Sequence, residues 1–398
     1  MTNLQASGPG SLREAVEAEG KRVVVFEVGG VIDLQKTYIR LKHPFITIAG
    51  QTAPEPGITV IRGGLRIVSH DVLVQHLAIR PGDAGMASKS GWEPDACNVG
   101  ASHDRDVYNV VVDHCSFTWS VDENASVSGQ DPQPHDVTYA NCIIAEGLSH
   151  ATHTKGEHSR GTLIHDGVKN VSLIGNLYAH NFRRNPLSKT GTSLLMANNL
   201  IYNPGQLGPQ FSNFGRGEKA IPQVSILSNV FQSGPNTPKG LSLVSVLGGP
   251  FNIHVRQSLA FDLAGNAIGM VTASEEDSQV GRWSPRHAHA IRVDADEPLP
   301  IWVPGLKMVE LDRVEAVVLS SAGMRPAARN SIDARIIGDV RARKGSIIDS
   351  QDQVGGYPTA KETKITHKLP EKPKRDDDQD GYTNLEEWLH QLARALEP

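Results

Sequence analysis

Apolar and polar residues alternate along this chain in short runs, without the three-to-four-residue spacing of amphipathic helices. Val72 to Leu77, Val110 to Cys115, Val137 to Cys142 and Val171 to Leu177 each open on alternating, mostly β-branched residues, meet a polar residue and resume with an apolar one. Leu195 to Leu200, Ile226 to Val230 and Ile253 to Leu259 continue the series. Aligned on the polar residue, the positions are His76, His114, Asn141, Asn176, Asn199, Asn229 and Gln257, spaced in the twenties to thirties. A degenerate repeat of short strands with no helices between them predicts a solenoid of parallel strands, a β-helix. One coil cannot bury its inward side chains alone, so stacking makes the core. The recurring Asn predicts a ladder of side-chain amides bonded from coil to coil.

A solenoid end needs a cover, and Ser11 to Ala18 supplies one: Ser11 with Glu14 three residues on forms a capping box, with Leu12, Ala15 and Val16 on one side. Periodicity weakens after Asp262. Ala264 to Pro304 reads as an excursion rich in charge, His and Pro, Asp312 to Ser321 as a short helix, and Ala334 to Asp349 as a last strand or a C-terminal cover. From Gln351 the composition shifts to Lys, Pro, Glu and Asp, which marks a linker. The expected organisation is one unit over 1–350 and a linker with a tail over 351–398.

Composition narrows the function. The 398 residues carry a formal charge of −5, 38 glycines and 5% aromatics, a turn-rich chain with no apolar run near the roughly 18 residues of a membrane helix. Acidic balance argues against nucleic acid as a partner while leaving room for a local basic cleft facing a polyanionic sugar. Met1 to Gln5 runs straight into Gly8-Pro9-Gly10 without a signal-peptide pattern, so the protein is either intracellular or read here from a mature end. Cys97, Cys115 and Cys142 are too few for a disulfide framework or a four-ligand zinc site. Cys115 and Cys142 each follow an aligned polar residue, so they should stack in adjacent coils as thiols, with a disulfide as the alternative.

Four constellations carry candidate chemistry. Asp113, Asp122 and Glu123 lie on a strand and the loop after it, and hard carboxylate ligands suit calcium; the bland alternative is exposed loop acids. Lys155, His158 and Arg160 precede a strand and form a candidate binding face for a carboxylated substrate. Arg184 and Lys189 flank Pro186; Arg183, next to Arg184, should point the other way in an extended chain. Finally Asp376, Asp378, Asp380, Tyr382 (through its carbonyl), Asn384 and Glu387, with Gly381 at the sharp turn, match an EF-hand loop closely. A helix from Leu385 to Ala395 follows but none precedes, so this is half an EF-hand with a structural role.

The segment Arg184-Asn185-Pro186-Leu187-Ser188-Lys189 resembles the R-x-P-x-x-R stretch of the pectate lyase family, with Lys in place of the second Arg. Asp113-His114-Cys115-Ser116 through Trp119-Ser120-Val121-Asp122-Glu123 is similar to the same family's D-H-C-S-x-x-W-S-x-D-E stretch, as are Gly8 to Ala15, Ile46 to Pro54 and Val354 to Pro358. The resemblance implies an all-β fold: a right-handed, single-stranded parallel β-helix with an N-terminal capping helix, here followed by a C-terminal calcium-loop extension. It further implies a secreted, monomeric, Ca2+-dependent lyase that cuts α-1,4-polygalacturonate by β-elimination. Arg184 would be the base, Asp113 and Asp122 calcium ligands with Glu123 a third and Asp95 joining from one coil earlier. Lys155 or His158 would hold a substrate carboxylate, and Lys189 would help hold the substrate. Two other readings stay open: a lyase for methylated pectin, and a noncatalytic β-helical module that binds polysaccharide. A glycoside hydrolase is disfavoured because adjacent Asp122 and Glu123 should face apart in an extended chain.

Overall fold

The computed structural model describes residues 1–101, 105–239, 241, 243–268, 271–272, 291–293 and 296–398. Part of the predicted excursion, residues 269–270, 273–290 and 294–295, lies outside these.

The chain winds into a parallel β-helix. In each coil one strand joins a ten-stranded sheet and two more join a second, larger sheet. Val72, Val110, Val137, Val171, Leu194, Val224 and Ile253 stand one above another in parallel register, and all are buried. Coils run from 23 residues (Val171 to Leu194) to 38 (Val72 to Val110).

Each apolar run predicted as one strand is two strands broken by a corner. Val171 to Leu177, for example, spans a strand Lys169–Ile174 and the start of a strand Leu177–Ala179. At the corner one residue per coil takes a left-handed conformation: His76, His114, Asn141, Gly175, Asn198, Ser228 and Gln257. The amide ladder sits one position later. Asn176 Nδ2 donates to Asn199 Oδ1 (3.1 Å) and Asn199 Nδ2 to Asn229 Oδ1 (2.8 Å), while the Cys142 amide donates to Asn176 Oδ1 (2.8 Å). The predicted column therefore mixed two: His76, His114, Asn141 and Gln257 belong to the left-handed corner, and Asn176, Asn199 and Asn229 to the ladder. Cys115 and Cys142 occupy the ladder column as free buried thiols, not a disulfide, their Sγ atoms facing the carbonyls of Val74 (3.9 Å) and Val112 (3.6 Å).

Helix α1 (Leu12–Glu17) covers the first coil. Ser11 caps it by accepting from the Glu14 amide (3.2 Å), and Leu12 and Val16 are buried against Ile39, Ile48 and Leu77. Helix α2 (Val314–Ser321) falls where a short helix was expected. Ala334 to Asp349 contains no strand: it begins inside helix α3 (Ser331–Arg341), whose N-cap Asn330 accepts from the Ile332 and Asp333 amides. This helix covers the outside of the barrel, packing Ile332, Ile336, Ile337 and Val340 on Trp119, Ile143, Leu177 and Tyr202. Two ion pairs pin it: Arg80 to Asp333 (2.6 Å), both side chains fully buried, and Arg335 to Glu146 (2.6 Å).

The segment read as a linker is docked. Tyr357 donates to the Pro81 carbonyl (2.7 Å) and Gln351 to Asp83 (2.8 Å), Thr363–Lys364 pairs antiparallel with Val28–Gly29, and helix α4 (Asn384–Arg394) buries Leu389. No described helix is long and apolar enough to cross a membrane.

Candidate active site

The third strands of successive coils, Cys97–Ala101, Glu123–Gly129, Arg160–Ile164 and Leu187–Ser188, pair in parallel and carry loops at their leading ends. Register thus brings together residues far apart in sequence. Trp119 is left-handed, and the Val121 and Asp122 amides both donate to the Pro94 carbonyl (3.2 and 3.3 Å). The chain is therefore folded back at this point, so Asp122 and Glu123 do not diverge as an extended pair would. Their carboxylates and that of Asp95 form one cluster with oxygens within 4.8 Å of one another. Asp95 accepts from the Glu123 amide (3.0 Å) and from Ser126 Oγ (2.7 Å). Burial and the neighbouring Asp122 push the Asp95 carboxyl up to about 7, against the opposing hydrogen bond from Ser126 and the charges of Arg66 and Arg184.

Arg184 closes the cluster from the other side. It is left-handed (φ 60°), which turns its side chain away from Arg183 and into an ion pair with the nearly buried Glu123. Burial lowers its pKa, opposed by Asp122 and Asp95. Arg183 instead packs on the Phe182 ring (5.6 Å).

Asp113 is elsewhere. It ends a strand of the ten-stranded sheet, where Gln75 (3.0 Å), Asn141 (3.1 Å) and His114 (2.8 Å) bond its carboxylate, and it does not join the Asp122 cluster; Asp95 stands there instead. Burial would raise its pKa, but these bonds together hold it below the ordinary carboxylate value.

The second constellation divides. Lys155 is exposed beside the cluster loop. His158 is buried and bonds Asp122 Oδ1 through Nε2 (2.8 Å), so it faces the acids, not solvent. Arg160 is buried too, donating to the His158 carbonyl (3.0 Å), and burial and Arg183 push its guanidinium down to about 10. Neither is a free substrate contact. Lys189, just past the strand Leu187–Ser188 that Arg184 precedes, forms an ion pair with Asp166 and lies 3.3 Å from His165 Nε2, so Arg184 and Lys189 have separate anionic partners.

Two elements were missed in the sequence. His153 stacks on His158 with ring centroids 3.7 Å apart. A groove of about 370 Å3, lined by Arg40, Lys42, Arg66 and Arg105 together with Asn98 and Ser128, adjoins the acids; Asn98 donates to Ser126 Oγ, which donates to Asp95. Its signal was legible: Ile39-Arg40-Leu41 and Leu65-Arg66-Ile67 repeat an apolar-Arg-apolar triplet, and they pair residue for residue.

In the C-terminal loop Asp376, Asp378 and Asp380 cluster, each accepting from a loop amide, those of Gln379, Asp380 and Tyr382. Asn384 donates to Asp377 (2.9 Å) and to the Lys372 carbonyl, and Glu387 lies in the first turn of α4, which is capped by Thr383 and Glu386.

No protein-family model matches the chain. It is 30% identical over 413 residues to a probable pectate lyase C of Aspergillus flavus, covering 99% of this chain and 88% of the relative. The chain belongs to the pectate lyase family. A probable pectate lyase C of Neosartorya fischeri is 31% identical over 417 residues, with the same coverage. The family is one of polysaccharide lyases. Among solved structures the major cedar-pollen allergen jun a 1 superposes with a TM-score of 0.51 at 15% identity, over 81% of this chain and 86% of that one, a likeness of fold.

Proposed function

We propose that this chain is a calcium-dependent, secreted pectate lyase that cleaves α-1,4-polygalacturonate by β-elimination and releases 4,5-unsaturated oligogalacturonides. The observation that carries the reading is Arg184 held against the Asp95, Asp122 and Glu123 carboxylates by Glu123. These oxygens suit calcium: three carboxylates are hard donors gathered within 4.8 Å of one another. Calcium, held there by Asp95, Asp122 and Glu123, would supply electrostatic stabilisation of the carboxylate charge that grows as the proton beside it leaves.

The residues do the rest. Arg184 takes the C5 proton; burial already favours its neutral form, and the acids that oppose this are the proposed metal ligands. Lys155 and the groove residues Arg40, Lys42, Arg66 and Arg105 hold uronate carboxylates, and Lys189 holds the substrate further along. As the C4–C5 double bond forms, the C4–O bond breaks and the departing oxygen takes up a proton from solvent, while Arg184 returns its proton to solvent, so no net water is consumed. His158 and Arg160, expected to bind substrate, are assigned instead to shaping the Asp122 loop. The C-terminal half EF-hand is a second, structural calcium site in a monomer.

Ultraviolet absorbance of unsaturated uronide from polygalacturonate, with calcium and with chelator, tests this. A calcium-dependent rise, lost in Arg184→Ala with polysaccharide binding retained, supports it. No rise on either pectate or esterified pectin would sink the lyase reading and favour the noncatalytic module.

A further inference from the structure

Asp122 faces two ways. One side belongs to the oxygen cluster just described. On the other, the imidazoles of His153 and His158 converge on its Oδ1, with Nε2 atoms at 3.8 and 2.8 Å. Both histidines are almost fully buried. Their rings are nearly parallel, 14° apart, at a centroid spacing of 3.7 Å, a packing that two imidazolium cations would not tolerate at one carboxylate.

Two neutral imidazole nitrogens and one carboxylate oxygen form a different donor set from the three carboxylates. Calcium takes oxygen ligands almost alone, whereas imidazole suits borderline first-row ions. Ligand atoms held at about 2.1 Å from a tetrahedral or octahedral ion stand about 3.0 to 3.4 Å apart, and the observed separations from Asp122 bracket that range. Outside the ligands, Glu93 Oε1 lies 3.5 Å from His153 Nδ1, placed to accept its proton in the carboxylate–imidazole arrangement that supports metal-bound histidine. The Lys155 amide now donates to that nitrogen (3.1 Å), so binding shifts the His153 proton from Nε2 to Nδ1 and exchanges this bond for the one to Glu93. Among the described residues, His158 Nδ1 is buried without a hydrogen-bond partner and is free to carry the proton its Nε2 gives up.

We propose that Asp122, His153 and His158 form a further metal site, for a divalent ion of borderline softness such as Co2+, Ni2+ or Zn2+. The site shares Asp122 with the calcium ligands, so the two ions compete for one carboxylate and the borderline ion acts as an inhibitor of calcium-dependent cleavage. The binding claim rests on geometry alone; the inhibition claim rests also on the lyase reading.

Co2+ separates them. Titrated into protein stripped by chelator, Co2+ should give one saturable visible absorption band, reduced by excess Ca2+ or by Zn2+. Nuclear magnetic resonance of the unaltered protein should show two imidazole N–H signals shifted by the paramagnetic ion. His153→Gln and His158→Gln, checked for native circular dichroism, should each weaken Co2+ at least about tenfold, and Asp95→Asn should leave it in place. No band, fewer than two shifted imidazole signals, or a band unchanged in both histidine variants would overturn the site. Co2+ bound in this way while calcium-dependent cleavage continues undiminished would overturn the competition alone.

Discussion

Arg184 shows how one backbone angle sets chemistry. Its left-handed φ separates it from Arg183 and delivers it to Glu123, so the two neighbouring arginines have different work. A positioned base contributes about 10²–10⁴-fold, and Arg184→Ala should lower the turnover of polygalacturonate by that range in protein whose circular dichroism stays native. His76 makes a stability prediction at the same scale. It stacks on His114 at 5.1 Å, accepts from the Arg325 amide (3.4 Å), and its pKa is pushed down to about 3 by burial and by the charge of His114, with Asp113 opposing. Unfolded, the ring titrates near 6.5, so below that pH the unfolded chain binds a proton that the folded one refuses. Stability from this group is complete above about 6.5 and falls as pH drops toward 3, by about 2 kcal/mol between pH 6.5 and 5. Urea midpoints measured across that interval should slope less steeply in His76→Gln than in the unaltered protein; equal slopes would show that His76 is protonated in the fold.

At the scale of elements, the strands were legible because inward and outward residues alternate, and the corners were not. Two adjacent positions turn each corner, one needing a left-handed backbone and the next, in the middle coils, an amide for the ladder, and Asn serves both. Asn141 and Asn176 therefore look equivalent in sequence while standing in different columns. The fold survived that slip because coil stacking depends on the apolar residues. The ladder itself should be costly to break: Asn199 is fully buried and makes four bonds, accepting from the Asn176 amide and side chain and donating to Leu173 O and Asn229 Oδ1. Asn199→Ala strands several of these partners, each unsatisfied group costing about 1–3 kcal/mol, and chemical denaturation should report a loss of at least about 3 kcal/mol. Helix α3 was misjudged because Ile336, Ile337 and Val340 carry β-branched residues, and its strongest helix signal, the Asn330 cap, lies outside the range read. It is held by the dry Arg80–Asp333 pair, with Ser116 (2.7 Å) and Asn330 (2.9 Å) filling the other carboxylate oxygen. Asp333→Ala leaves a buried guanidinium, and removing one partner of such a pair costs about 3–5 kcal/mol; a denaturation midpoint within error of the unaltered protein would refute that account.

Across the whole molecule, sequence reading found the family's motifs but not the assembly of the site, because coil register decides which residues meet. Asp95 and Glu123 lie on successive coils and Arg184 two coils further on, past the coil of Arg160, and strand pairing brings them together, whereas Asp113 and Asp122, nine positions apart in one motif, part at the corner between them. The same logic governs the ends. The chain's last segment returns to its first coils: Thr363–Lys364 extends the strand at Val28, His367 meets the Phe26 carbonyl (2.9 Å) and stacks edge-on against Trp388 (5.3 Å), and the Ala327 amide donates to the Leu396 carbonyl (2.8 Å). The acidic loop from Asp376 to Glu387 stands between the His367 contact and α4, so an ion there fixes the direction in which α4 leaves the loop and thereby the docking of Leu389 and Leu396. Calcium that binds only the folded loop stabilises it by about 2.7 kcal/mol at a concentration one hundred times its dissociation constant. Hydrogen exchange should accordingly slow with calcium in the amides of α4 and of Val28–Gly29, and Asp378→Asn should abolish that protection while preserving the calcium dependence of cleavage, which depends on Asp95, Asp122 and Glu123 at a separate site. If Asp378→Asn raised the calcium needed for cleavage as well, the tail loop would be coupled to the cleft and its purely structural role would fall.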